Sequence, residues 1–359
     1  MRRRRFFAVD VRCDYGRGRH APRAPGRDGE GAPTRARDFR RMRVTVRSTT
    51  IAREDRAPDP TPARTRGGVV DHLVLLKPRV MSLVVFTGGV GFALAPVPMD
   101  WMKLIAALSA MAGGAGACGA LNMWWDADID ANMARTAMRP SPRGVVPPLE
   151  ALAIGVLLSV VSVAALAIQV NLLAAALLAL TIAIYVPLYT MVLKRSTPMN
   201  IVIGGAAGAL PPVIGWAAAM NSVSAGAIAM FLITFLWTPP HFWALALCRS
   251  GDYERVGVPM LPNVVGPVRT CRQIVAYSIL LVPASLGPLL IPGVGLLYGA
   301  VALAANAVFI WRAIGLYRLR AGDESARRKA AMGLFGFSIL YLFVLFAAML
   351  AEVILRGRV

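Results

Sequence analysis

Read for its apolar and polar positions, the chain changes character near residue 69. Beyond that point, apolar stretches recur at 80–98, 102–121, 149–168, 171–190, 201–220, 225–246, 273–291, 294–311 and 331–353. Each is close to the 20 or so residues that a membrane-crossing helix needs. The pattern predicts an all-α polytopic membrane protein of about nine transmembrane helices. The connections between the stretches alternate. Those after the first, third, fifth and seventh are short and hold a single cation, Lys103. Those after the second, fourth, sixth and eighth are long and hold fifteen, from Arg135 to Lys329. Basic loops stay on the cytoplasmic side, so the N-terminus and the four long loops are expected in the cytoplasm and the C-terminus outside. An error of one in the count would scramble this alternation. The expected location is a bacterial inner membrane, with lipid as the constant partner.

Composition sharpens the division. The 359 residues are 57% hydrophobic and 16% charged, with a mean hydropathy of +0.58, yet the net charge is +20. Those values agree only if charge is segregated. Residues 1–68 hold 19 Arg and 8 acidic residues, a net of +11. The chain is therefore read as a tail, 1–68, ahead of a membrane domain, 69–359. The tail lacks the apolar run of a secretory signal, and its acidic residues argue against a mitochondrial presequence. Its Pro, Gly and Arg content reads as disorder. It is either a solvated cytoplasmic tail or translated upstream sequence with the start nearer Met42. Its basic charge is not read as a nucleic-acid partner. Cys13, Cys118, Cys248 and Cys271 show no paired spacing, which argues against a disulfide framework or zinc site.

The candidate chemistry lies in the long loops. Asn122, Asp126 and Asp130 are spaced i, i+4, i+8. If the second stretch continues helically, they stack on one face with a drift of about 40° per step, and Asp128 points elsewhere. Three oxygen-bearing side chains beside Arg135 and Arg139 suit Mg²⁺ bridging to a phosphate group; the alternative is a solvated acidic turn. Lys194 and Arg195 are candidates to hold diphosphate oxygens, or serve only to set topology. Arg249-Ser-Gly-Asp252-Tyr253-Glu254-Arg255 follows the sixth stretch as the first acidic loop follows the second. The two loops are placed to close over one cavity. His241, in Trp237-Thr-Pro-Pro-His241-Phe-Trp243, lies inside a span, where an ionisable residue is a functional candidate. A neutral imidazole can ligate haem iron. Alternatively, it hydrogen-bonds backbone groups freed by Pro239 and Pro240. The tryptophans at span ends are explained by the aromatic belt, and Gly113-Gly114 and Gly204-Gly205 by close helix packing.

The run Asn122-Met-Trp-Trp-Asp126-Ala-Asp128-Ile-Asp130 resembles the NxxxDxxxD region of the UbiA-type intramembrane prenyltransferases. Leu76-Lys-Pro-Arg-Val-Met81, the segment from Tyr189 to Pro198, Val202–Gly208, Pro211–Trp216, Leu236–Trp243 and Gly257–Pro262 resemble the branch that prenylates haem. The resemblance covers about residues 70–355. It implies a nine-helix bundle around a central cavity. The implied activity is Mg²⁺-dependent transfer of farnesyl from farnesyl diphosphate to a vinyl group of haem b, with addition of water, giving haem o. A haem a synthase is the implied partner for the product. Carried over, Asn122, Asp126 and Asp130 would bind Mg²⁺-diphosphate, with Lys194, Arg135 and Arg139 assisting. Asp252 would be a further metal ligand, and Tyr253 and His241 would contact substrate. A second DxxxD would need a carboxylate at 256, where Val256 stands. Competing readings are a prenyltransferase for an aromatic or quinone-precursor acceptor, and a transporter. Transporter sites usually lie at the bilayer midplane, whereas these acidic residues lie in loops.

Overall fold

The computed structural model describes residues 67–133 and 136–357, apart from the side chains of Arg79 and Val80. The expected tail therefore lies, except for Gly67 and Gly68, outside the described residues, as does Arg135. Among the described residues the chain is helical throughout, without strands. Eight helices are long and apolar enough to cross a membrane: Trp101–Trp125, Pro148–Gln169, Leu172–Ser196, Asn200–Met220, Ala225–Cys248, Leu261–Leu290, Leu296–Arg318 and Glu324–Leu355. Below they are the second to ninth spans. The first, Pro78–Ala93, has 16 residues, about 24 Å of helix, short of the roughly 30 Å hydrocarbon core. The expected stretch 80–98 is thus longer than its helix, because Pro96 and Pro98 cannot continue one. The seventh and ninth helices begin earlier than expected. Leu261 precedes a kink at Gly266 (φ 80°, ψ 165°), and Asp323 caps the ninth helix through Ser325 N and Ala326 N.

Spans adjacent in sequence pack in space, and the ninth returns against the first and the sixth. Small residues allow the tightest approach, where the first span crosses the fifth. A Cβ on Gly215 would lie 1.9 Å from Gly88 O, and one on Gly91 would lie 2.1 Å from Pro212 O. Close backbone approach of this kind substitutes for the hydrophobic drive that lipid removes.

The last three spans are joined by buried polar contacts. Tyr341 Oη donates to Asn306 Oδ1 (2.8 Å), Asn306 Nδ2 to Ser285 Oγ (2.7 Å), and Tyr298 Oη to Ser285 O (2.5 Å). Asn306 is 3% exposed, so its amide has no water to fall back on. Asn306→Ala is expected to destabilise the bundle by about 1 to 2 kcal/mol, since it strands the Tyr341 hydroxyl in an apolar interior. Thermal unfolding in detergent measures this.

The connections after the second, fourth, sixth and eighth spans gather at one end, though those after the fourth and eighth, 197–199 and 319–323, are shorter than expected because their helices run past the apolar stretches. Ile129 and Met133 share an apolar cluster with Ala246, Val258 and Met260, against which Tyr253 and Val256 pack. Cys248 Sγ donates to Arg328 O at 3.4 Å, bringing the start of the ninth span to the same end. Ahead of the first span, the short helix Val69–Leu75 is tied to the third by His72 Nε2 and Glu150 Oε1, 2.8 Å apart.

Candidate active site

The second span ends at Trp125, but the helical path continues. Asp126 N donates to Asn122 O (2.9 Å) and Asp130 N to Asp126 O (2.8 Å). The i, i+4, i+8 stack read from spacing is therefore present. Asn122, Asp126 and Asp130 are 5%, 0% and 2% exposed, while the Asp128 side chain on the other face is 65% exposed.

The opposing wall is the fourth span, whose segment Ile184–Leu193 is a π-helix containing Pro187. At 100° per residue, Thr190 and Lys194 would stand about 140° and 180° around the axis from Tyr185. The wider i→i+5 repeat closes those gaps and turns Tyr185, Thr190 and Lys194 to one side. Thr190 Oγ1 donates to Tyr185 O, five residues back (2.9 Å), and accepts from Asn122 Nδ2 (3.3 Å). Lys194 Nζ donates to Asp126 Oδ2 at 2.5 Å. Arg195 forks onto Asp128 (2.8 and 2.9 Å) and stands 3.6 Å from Asp126 Oδ1. That guanidinium holds the Asp128 carboxyl below the usual carboxylate range. Arg139 Nη1 donates to Asp130 Oδ2 at 2.5 Å.

A fourth cation was not singled out in the sequence. Lys77, the residue before the first span, adopts the left-handed region (φ 53°, ψ 59°). A non-glycine residue before proline is normally driven to extended backbone, so this geometry is strained. It aims Nζ at Asn122 Oδ1, 2.6 Å away. Burial, with Arg139 and Lys194 nearby, pushes its ammonium down to about 7 against the opposing pull of Asp130 and Asp126. Lys77, Arg139, Lys194 and Arg195 thus surround Asp126, Asp128 and Asp130. This excess of positive charge suits a polyanion.

Asp126 Oδ1 is buried without a hydrogen-bond partner, an unspent carboxylate oxygen of the kind a hard cation takes. Among the described residues, no three Asp, Glu, His or Cys side chains group closely enough to hold a metal by themselves. Asp252, in the short helix Ser250–Arg255, lies 3.7 Å from Arg255. The apolar cluster around Tyr253 joins its loop to the Asp130 loop. His241 stands elsewhere, on the sixth span. Its partner is Ser338 Oγ on the ninth span (2.6 Å), and not backbone freed by Pro239 and Pro240.

Known proteins resemble this chain over most of its length. The model of the UbiA prenyltransferase family matches residues 83–339. The chain is 56% identical over 282 residues to "Protoheme IX farnesyltransferase 2" of Mesorhizobium japonicum, covering 79% of this chain and 89% of that one. It is 57% identical over 286 residues to the protoheme IX farnesyltransferase of Parvibaculum lavamentivorans, covering 80% and 89%. Among solved structures, a UbiA homologue from Aeropyrum pernix superposes with a TM-score of 0.61 at 21% identity, covering 77% of this chain and 98% of that one. One from Archaeoglobus fulgidus bound to DMAPP and Mg²⁺ superposes with 0.54 at 16%, covering 78% and 99%. At those identities the likeness is one of fold.

Proposed function

The chain belongs to the UbiA prenyltransferase family, and from that premise we infer that it transfers a farnesyl group from farnesyl diphosphate to a vinyl group of haem b. The protein is a membrane-embedded prenyltransferase whose product is haem o. The observation that carries the site assignment is the buried Asn122–Asp126–Asp130 face met by four cations at one end of the bundle.

In this reading the diphosphate lies among Lys77, Arg139, Lys194 and Arg195. Mg²⁺ would be held by Asp126 and Asp130 together with diphosphate oxygens, and would stabilise the charge of the leaving group. Asp252 is placed as a further ligand or as a water-ordering group in the facing loop, with Tyr253 beside the substrate. Arg135 is assigned to the same anion site. When the C1–O bond of farnesyl diphosphate breaks, the electron pair leaves with the diphosphate. The cations then meet growing negative charge with donors already in place, the arrangement that lowers a barrier most. Lys194 and Arg139 are each bound to a carboxylate beforehand, so their orientation costs nothing at that moment. The allylic C1 bonds to the terminal vinyl carbon. Water adds to the cation left beside the porphyrin ring and loses a proton, giving the hydroxyethylfarnesyl group. The apolar span walls keep that water from C1 until transfer has occurred.

We place the long loops in the cytoplasm and the C-terminus outside, supported by the fifteen cations that the sequence puts in those loops. Haem b, farnesyl diphosphate and lipid are the partners of this reading, and a haem a synthase is the enzyme class proposed to receive the product. The test is the purified protein in lipid with haem b, farnesyl diphosphate and Mg²⁺, products read by mass. A haem product heavier by one farnesyl and one hydroxyl group is expected, dependent on the metal; unaltered haem, or prenylation only of an aromatic acid, would refute the reading.

A further inference from the structure

Within the sixth span, His241 is locked on three sides. Its ring stacks on Trp237 at 4.2 Å (19°) and on Phe335 at 4.7 Å (27°), and meets Phe242 edge-on at 5.1 Å. Both faces are covered, so only the ring edge can act. One edge nitrogen is assigned by arithmetic. Ser338 Oγ lies 2.6 Å from Phe335 O, a carbonyl that can only accept, so the single hydroxyl hydrogen is committed there. Toward His241 Nδ1, also 2.6 Å away, Ser338 Oγ must then accept. His241 therefore carries its proton on Nδ1. Ser338 is itself fixed, fully buried with its carbonyl accepting from Trp237 Nε1 at 2.7 Å.

Nε2 is left as a lone-pair nitrogen. His241 is 8% exposed, and the hydrogen bond that holds it is made by Nδ1. An imidazole whose far N–H is held by a fixed acceptor is the arrangement that orients a metal-binding histidine.

Resting on the proposed haem substrate, we infer that Ser338 is a positioning residue: it fixes His241 as the Nδ1–H tautomer, so that Nε2 takes the haem iron and seats the porphyrin. Ser338 touches no substrate; it acts through His241.

The experiment uses the full chain in lipid nanodiscs titrated with ferric haem b. The Soret band and electron paramagnetic resonance report the axial ligand, and a non-hydrolysable farnesyl diphosphate analogue is titrated into the same preparations. Ser338→Ala is expected to weaken haem binding at least tenfold and to diminish the imidazole-ligated spectrum, with analogue binding unchanged. Ser338→Thr, which keeps the hydroxyl, is expected to restore both. His241→Gly should lose the spectrum and regain it with added imidazole. The inference is overturned if Ser338→Ala keeps wild-type affinity and spectrum, or if haem and analogue weaken alike as the melting temperature falls. Wild-type protein that farnesylates haem without a His241-dependent spectrum would overturn this inference alone. Wild-type protein that ligates haem through His241 but never farnesylates it would overturn the functional reading and leave the ligand assignment standing.

Discussion

Replacing Asp126 or Asp130 by alanine is expected to cut farnesyl transfer by about 10³-fold or more, while Asp128→Ala stays within roughly tenfold. The difference follows from which side of one helical turn each residue occupies. Asp126 and Asp130 are buried and face the cations. Asp128 sits outside, and its partner Arg195 also reaches Trp125 O at 3.2 Å, so that arginine keeps an anchor when Asp128 is lost. Removing Asp126 leaves Lys194 and Asn122 without a shared acceptor, and uncompensated buried charge destabilises a fold by itself. Asp126→Asn is therefore the companion variant: it keeps the volume and one acceptor oxygen for Lys194 and Asn122 but withdraws the charge. Single-turnover rates by mass, beside melting temperatures, separate chemistry from folding. Equal losses at 126, 128 and 130 would contradict the one-face geometry, and wild-type rates in the Asn variant would remove Asp126 from the metal site.

Gly215→Ala is expected to abolish accumulation of folded protein, at a cost of roughly 3 kcal/mol or more, beyond ordinary overpacking. The added methyl would stand 1.9 Å from Gly88 O and 2.9 Å from Phe92 N. Both are backbone atoms of the first span, and no rotamer change can move them aside. Gly208→Ala in the same span is the control, since nothing lies within 4 Å of its added Cβ. Size-exclusion profiles after membrane extraction measure the outcome. Equal monodisperse yield from both variants would show that the two spans separate without penalty.

Eight of the nine expected spans and the clustering of basic loops at one end were legible because they depend on apolar length and charge sign, which are local properties. So was the Asn122–Asp126–Asp130 face, since helical repeat alone sets it. Three features were not. Lys77 was hidden because its role depends on a left-handed backbone before Pro78, which local preference argues against. Thr190 was hidden because the fourth span departs from the α-repeat, so counting in steps of 3.6 assigns it to the wrong side. Ser338 was hidden because a serine in an apolar helix carries no mark of a partner 97 positions earlier. For His241, residue type indicated interest, but only packing shows that its hydrogen bond goes to another span.

The ten-residue π-segment of the fourth span sets the phase of everything beyond it. In a uniform α-helix, a one-residue insertion or deletion turns the downstream face by about 100°. A π-turn already accommodates one residue more than the lattice asks for, so deleting one near Pro187 can be absorbed as a return to the α-repeat. Hydrogen bonding along the span would survive, and so would its membrane thickness. Its lipid-facing body and its Lys194–Arg195 tip would stay in phase, because Thr190 would then stand four residues from Tyr185 and Lys194 eight. A one-residue loss in this span would therefore be buffered, leaving the same side chains facing the diphosphate.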